Sequence, residues 1–158
     1  MRWRIKANLA LLAGLLLAAA LLGGCGADYG PDQHGNAVSA KTLDKQWLVV
    51  NYWAVWCGPC RREIPELNAL SQSLQGQGVS VVGVNFDNLQ GDELKAAAST
   101  LGIDFTVLAQ DPAPRFDLPR SQALPVTFII DAQGKLRDQL MGEQTAAGIK
   151  ARLATLQG

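Results

Sequence analysis

The run QWLVVNYWA, residues 46–54, passes through Val55 and Trp56 into Cys57-Gly58-Pro59-Cys60, and the segment CRREIPELNALSQSLQ continues from there. Aromatic and β-branched residues in a short run make a buried strand. The following segment sets Ile64, Leu67, Leu70 and Leu74 at spacings of three, three and four, one face of a helix, and Gly76 and Gly78 stop it. A strand that turns into a helix within a few residues has to bury both elements against a common layer, so this unit commits the chain to a layered α/β fold.

The remaining segments agree with that start. VSVVGVNF reads as a second strand, and GDELKAAASTLG as a second helix whose first turn holds Asp92 and Glu93, where acidic groups favour the helix dipole. IDFTVLAQDP reads as a short extended segment entering a turn, and APRFDLPRSQALP as loop. VTFIID and KLRDQLMG are strand runs joined by Ala132, Gln133 and Gly134, the length of a hairpin loop, and EQTAAGIKARLATLQ closes the chain as a helix. The pattern predicts one α/β domain with a mixed central sheet flanked by helices, over residues 39–158. With 158 residues, 48% of them apolar and 18% charged, the chain can bury one ordinary core unaided. A monomer is expected.

The first residues follow a different logic. Arg2, Arg4 and Lys6 precede an apolar run from Leu9 to Leu22, the layout of a secretory signal. That run is shorter than the about 20 apolar residues a membrane span needs. Leu22, Gly23 and Gly24 stand directly before Cys25, and this box resembles that of bacterial lipoproteins. The resemblance implies that residues 1–24 are removed as a signal peptide and that Cys25 carries lipid. Acyl chains contribute about 0.8 kcal/mol per buried methylene, so two or three of them hold a domain at a membrane surface. The expected location is extracytoplasmic, where disulfides persist. Gly26 is not the aspartate that commonly retains such lipoproteins at the inner membrane, so the periplasmic face of the outer membrane is preferred for a Gram-negative source.

After the lipidated Cys25, residues 25–38 read as a flexible tether spanning on the order of 20 Å. His34, the one histidine, lies in it with no companion ligands, so no metal site is expected. Without Arg2, Arg4 and Lys6 the mature chain has 11 basic residues against 14 acidic ones, which provides no footprint for nucleic acid.

Cys57 falls where the first strand ends and the first helix begins. Free N–H groups and the positive end of the helix dipole stabilise a thiolate there more than a thiol, so its pKa falls. Cys60 sits one turn further in, close enough to attack a mixed disulfide at Cys57. Pro59 is harmless in a first helical turn, because the N–H it lacks would have had no partner. As a structural staple, a bridge closing so small a loop constrains the unfolded chain little. A zinc or copper site would need more ligands than a tether histidine and a lipidated cysteine offer. Redox use is the favoured reading of the three.

WCGPC after VVNYWAV, together with LPVTFIID, resembles the thioredoxin superfamily. VNYWAVWCGPCRREIPEL is similar to its TlpA/ResA-like branch of membrane-tethered thiol-disulfide oxidoreductases, and DELKAAASTLGIDFTVLAQDP corresponds to the central insertion of that branch. The resemblance runs from about Lys41 to the end. It implies a thioredoxin-like fold in which Cys57 is the exposed nucleophile and Cys60 the resolving thiol, with a Cys57–Cys60 disulfide in the oxidised state. Pro125 matches the cis-proline beside that disulfide, and the backbone of Leu124 would pair with a substrate chain. Trp56, with Gly58 and Pro59, would form the rim where substrate docks. No cofactor beyond the redox-active disulfide is implied.

One departure is informative. Cytoplasmic thioredoxins carry a buried aspartate six residues before the first cysteine, where this chain has Asn51, which cannot serve as a base. The branch it resembles places a glutamate three residues after the second cysteine, and Glu63 matches. Position 63 lies within one turn of Cys60, and burial would raise its pKa into the range of an acid–base group. The other reading is a solvent-facing glutamate paired with a neighbouring basic residue.

The Gly-Pro dipeptide is that of reducing thioredoxins, so the resemblance favours a disulfide reductase acting on Cys-containing protein substrates. It would be recharged by a membrane electron donor of DsbD/CcdA type. Apocytochrome c, as for ResA/CcmG-like thiol reductases, is the narrower alternative. A non-catalytic binding protein or a metallochaperone on the same fold is the alternative of another class.

Overall fold

The computed structural model describes residues 28–158. The signal peptide read over residues 1–24, the lipid site at Cys25 and the start of the tether lie outside the described residues. In chain order the elements are α1 (Ala40–Leu43), β1 (Trp47–Trp53), α2 (Gly58–Ser73), β2 (Val79–Asn85), α3 (Gly91–Leu101), β3 (Thr106–Leu108), α4 (Ala113–Phe116), β4 (Val126–Ile130), β5 (Leu136–Met141) and α5 (Ala146–Gln157).

The strands form one sheet in the order β3-β2-β1-β4-β5. β1 pairs in parallel with β2 and β2 with β3, while β4 runs antiparallel to both β1 and β5. This is the mixed sheet that the sequence predicts. β1 lies at its centre and is buried along nearly its whole length, which is why WLVVNYW is apolar or aromatic at every position but Asn51 and shows no polar alternation. At the β5 edge the burial alternates residue by residue instead.

Two successive crossovers in the same direction, β1 to β2 through α2 and β2 to β3 through α3, place both helices on one face. There Ile64, Leu67, Leu94, Ala98, Ile149 and Leu153 cover Val49, Trp53, Val81, Val107 and Ile129. The opposite face carries Leu48, Val50, Tyr52, Val84, Phe128 and Ile130, packed against Tyr29, Leu43 and Leu118. The helix ends follow their chemistry. Thr145 caps α5 by accepting from the Gly148 amide at 3.1 Å. α3 stops at Gly102 in the left-handed conformation, as C-terminal glycines do.

The tether expected over residues 25–38 is corrected for residues 28–38, which are built into the domain. Tyr29 is buried, and Tyr29 and Val38 are joined backbone to backbone. Asp32 bridges Leu108 on the outer edge of β3, and the Ala109 amide donates to the Pro31 carbonyl. Gln33 is buried, its Nε2 donating to the Phe105 carbonyl at 3.0 Å and its Oε1 accepting from the Val107 amide at 2.8 Å. The physical reason is the edge itself: the short strand β3 exposes unpaired backbone groups, and a side-chain amide satisfies one donor and one acceptor at once. A segment poor in aliphatic residues docks here through hydrogen bonds, which its composition does not announce.

Candidate active site

β1 delivers the chain to the upper end of the sheet, and α2 leaves from it. Cys57 is the N-cap of α2: its backbone is extended, and its Sγ accepts from the Cys60 amide at 3.2 Å. Cys57 and Cys60 are joined in a disulfide, with S–S 2.08 Å and Cα atoms 5.3 Å apart. The sulfur of Cys57 therefore already faces the amide that would stabilise its thiolate after reduction. Both residues are buried, Cys57 at 5% exposure and Cys60 at 1%. An incoming group thus meets Cys57 first.

Around this pair, Gly58 is exposed and Pro59 half-buried in the first turn of α2. The Leu124–Pro125 peptide bond is cis, with Leu124 half-buried and Pro125 buried. The Pro125 carbonyl accepts from the Gly142 amide at 2.9 Å, which ties the loop before β4 to the turn after β5. Arg61 folds back to donate to the Val55 carbonyl at 2.7 Å, and Arg62 pairs with Glu143 at 2.8 Å.

Trp56 is the most exposed large apolar side chain at this end, at 64%. Its ring meets Phe86 edge to face with centroids 6.3 Å apart, and its Nε1 donates to the carboxylate of Asp87 at 3.0–3.2 Å. Phe86 and Asp87 come from the loop after β2. The sequence reading placed Trp56 on the rim but had no signal for these two supports, since contact across a loop has no period.

Glu63 lies on the buried side of α2, at 1% exposure, so the solvent-facing reading does not hold. Its Oε1 accepts from Asn51 Nδ2 at 2.8 Å and lies 3.5 Å from the Thr127 hydroxyl, while Asn51 Nδ2 also reaches Thr127 Oγ1 at 3.0 Å. Its Oε2 has no hydrogen-bond partner. Burial drives the carboxyl pKa up from 4.5 to about 7. The Gln144 amide and the Thr127 hydroxyl work against that rise, and the nearby charge of Glu143 adds to it. The polar pair Asn51 and Thr127, directly opposite each other on β1 and β4, is thus the floor on which Glu63 sits. Thr127 was not singled out from the sequence, although a hydroxyl inside VTFIID was its trace.

Beneath the site, Gly83 is required by packing. A Cβ there would lie 2.9 Å from Trp53 Nε1 and 3.0 Å from Phe105. Among the described residues no group of His, Cys, Asp and Glu is arranged to hold a metal ion, and no helix is long and apolar enough to cross a membrane.

The chain is similar to known proteins over most of its length. The family model described as AhpC/TSA matches residues 28–139. The chain belongs to that family. It is 28% identical over 122 residues to the thiol-disulfide oxidoreductase ResA of Bacillus thuringiensis, covering 77% of this chain and 70% of that protein. With the thiol:disulfide interchange protein HelX of Rhodobacter capsulatus it shares 32% over 118 residues, 74% of this chain and 64% of that one. A solved thiol:disulfide interchange protein of the thioredoxin family from Chlorobium tepidum superposes with a TM-score of 0.68 at 27% identity, covering 82% of this chain and 92% of that one. The fold is thioredoxin-like, and the chain is a thiol-disulfide oxidoreductase whose reactive pair is Cys57 and Cys60.

Proposed function

We propose that the protein is an extracytoplasmic, lipid-anchored disulfide reductase for protein substrates, with Cys57 as nucleophile, Cys60 as resolving thiol and Glu63 as proton acceptor. The observation that carries this reading is the fully buried Glu63 carboxyl one helical turn beyond Cys60, in the same helix that Cys57 caps. Residues three apart on a helix are neighbours.

The chemistry balances as two exchanges. The Cys57 thiolate attacks a client disulfide, one client sulfur leaves and takes up a proton, and a mixed disulfide forms. The Cys60 thiol gives its proton to the Glu63 carboxylate and its sulfur displaces the second client thiolate. Two electrons have passed to the client, and Cys57–Cys60 is oxidised. A group with a pKa of about 7 accepts and returns a proton near neutrality with little driving force lost in either direction. Exposed Trp56 and the backbone of Leu124, in the loop before β4, suit an extended Cys-containing segment better than a small polar metabolite. The oxidised pair is recharged by a dithiol donor, for which a membrane conduit of DsbD/CcdA type is the proposal, and Cys25 supplies the anchor.

The test is turnover of insulin disulfides by the full-length protein with dithiothreitol as donor. Catalysis is expected in the wild type and its loss in Cys57→Ser. Turnover that survives Cys57→Ser would remove Cys57 from the mechanism.

A further inference from the structure

We infer that the lower end of the sheet, away from Cys57, is a membrane-docking face on which Lys41, Lys45 and Lys135 meet anionic phospholipid headgroups. This rests on the reading of Cys25 as a lipid anchor. The docked strap fixes where that anchor can stand. Asp28 accepts from the Ala40 amide at 3.1 Å, at the start of α1. Tyr29 follows, 4% exposed, its amide donating to the Val38 carbonyl and its hydroxyl to Asp44, each at 2.9 Å. Its ring packs on Phe116, and the Arg115 guanidinium lies over it, 4.4 Å from the ring centre. The chain is thus held from Asp28 onward, and only Gly26 and Ala27 separate that residue from Cys25. Three residues of chain reach at most about 11 Å. A free tether as far as Val38 would have spanned on the order of 20 Å.

That short reach selects one end of the molecule. Tyr29 lines a single groove with Lys45, Leu48, Phe116 and Gly134. Lys45 lies between α1 and β1, Leu48 near the start of β1, and Gly134 in the turn between β4 and β5, so the groove is at the end of the sheet away from the active site. From there β1 climbs through seven residues, about 20 Å, before the chain reaches Cys57. Charge marks the same end. Lys41, Lys45 and Lys135 are exposed, and none holds an ion pair among the described residues. The neighbouring carboxylates of Asp44 and Asp131 are engaged by Arg115 and Arg137, at 3.0 and 3.3 Å. Attraction of lysines to an anionic lipid surface fades beyond a Debye length, about 8–10 Å at moderate salt. A three-residue connection brings these lysines to that range, and a 20 Å tether would leave them screened. With this end on the lipid, Cys57 and Trp56 face the aqueous side, and a membrane donor has to present its dithiol about 20 Å above the headgroups.

The test uses the full-length protein, isolated in its oxidised form and placed in vesicles of phosphatidylcholine and phosphatidylglycerol that carry a headgroup nitroxide. Cys57 and Cys60 are closed in their disulfide, so a thiol-reactive dye reports on one added cysteine. Gln133→Cys places it in the lower turn and Gln122→Cys in the loop before β4, both at exposed positions. A nitroxide quenches only near contact, and the two ends are about 20 Å apart, so the Gln133→Cys dye is expected to be quenched at least about threefold more than the Gln122→Cys dye. Lys41→Gln, Lys45→Gln and Lys135→Gln combined are expected to lower the Gln133→Cys quenching at least about twofold. Equal quenching at the two positions, or a difference that the combined variant keeps in full, overturns the docking face while the anchor stands. The chain without an added cysteine separates the two readings: if it takes up dye at Cys25, or does not float with the vesicles, the anchor falls and takes the docking face with it.

Discussion

At the scale of single residues, the site depends on how one carboxyl is held. Glu63 has its pKa raised to about 7 by burial, so between pH 4.5 and 7 the folded protein binds a proton that the unfolded chain has released. Stability therefore falls as pH rises across that window and levels off above it. The shift corresponds to roughly 3 kcal/mol. Glu63→Gln keeps the shape and removes the titration, so chemical denaturation of the oxidised variant is expected to be nearly flat from pH 5 to 8 and the variant more stable than wild type at pH 8. Its catalysis should move the other way: without a base for the Cys60 proton, resolution of the mixed disulfide slows by about a hundredfold at pH 7. Glu143→Gln removes a like charge that raises the Glu63 pKa, and the midpoint of the stability curve should move to lower pH. A wild-type curve that rises across this window, or an unchanged one in Glu63→Gln, would mean that the carboxyl is ionised in the fold.

At the scale of elements, the strap of residues 28–38 shows how an unpromising segment becomes structure. Gln33→Ala leaves the Phe105 carbonyl and the Val107 amide without their partners, and a loss of about 1–3 kcal/mol in denaturant unfolding is expected, with the active-site chemistry little changed. A loss under 0.5 kcal/mol would point to water replacing the side chain. The sequence made β1, α2, β2 and the closing hairpin legible because burial on a helix stripe or a central strand leaves a period of its own. The strap left none, since Gln33 and Asp32 dock through hydrogen bonds. β3 is three residues long, too short for alternation to register. Cys57, Cys60 and Glu63 were legible from motif and spacing. The parts that hold them, Thr127 under Glu63 and Phe86 with Asp87 against Trp56, meet only when the sheet brings distant segments together.

At the scale of the whole molecule, the sheet separates two packed faces. One face of the sheet, under α2, α3 and α5, buries Glu63 and Cys60. The other, under the strap and the α4 loop, carries the cleft that ends at Phe86. Cys57 and Trp56 stand at the upper end, where β1 gives way to α2. The central claim is that this molecule donates electrons, and the reduction potential of the Cys57–Cys60 pair tests it most directly. The full-length protein is equilibrated in dithiothreitol redox buffers, and its free thiols are trapped by alkylation. A potential near that of thioredoxin, about −270 mV, is expected. A value near −120 mV would make the protein an oxidant, and a pair that never exchanges would return Cys57 and Cys60 to a purely structural role.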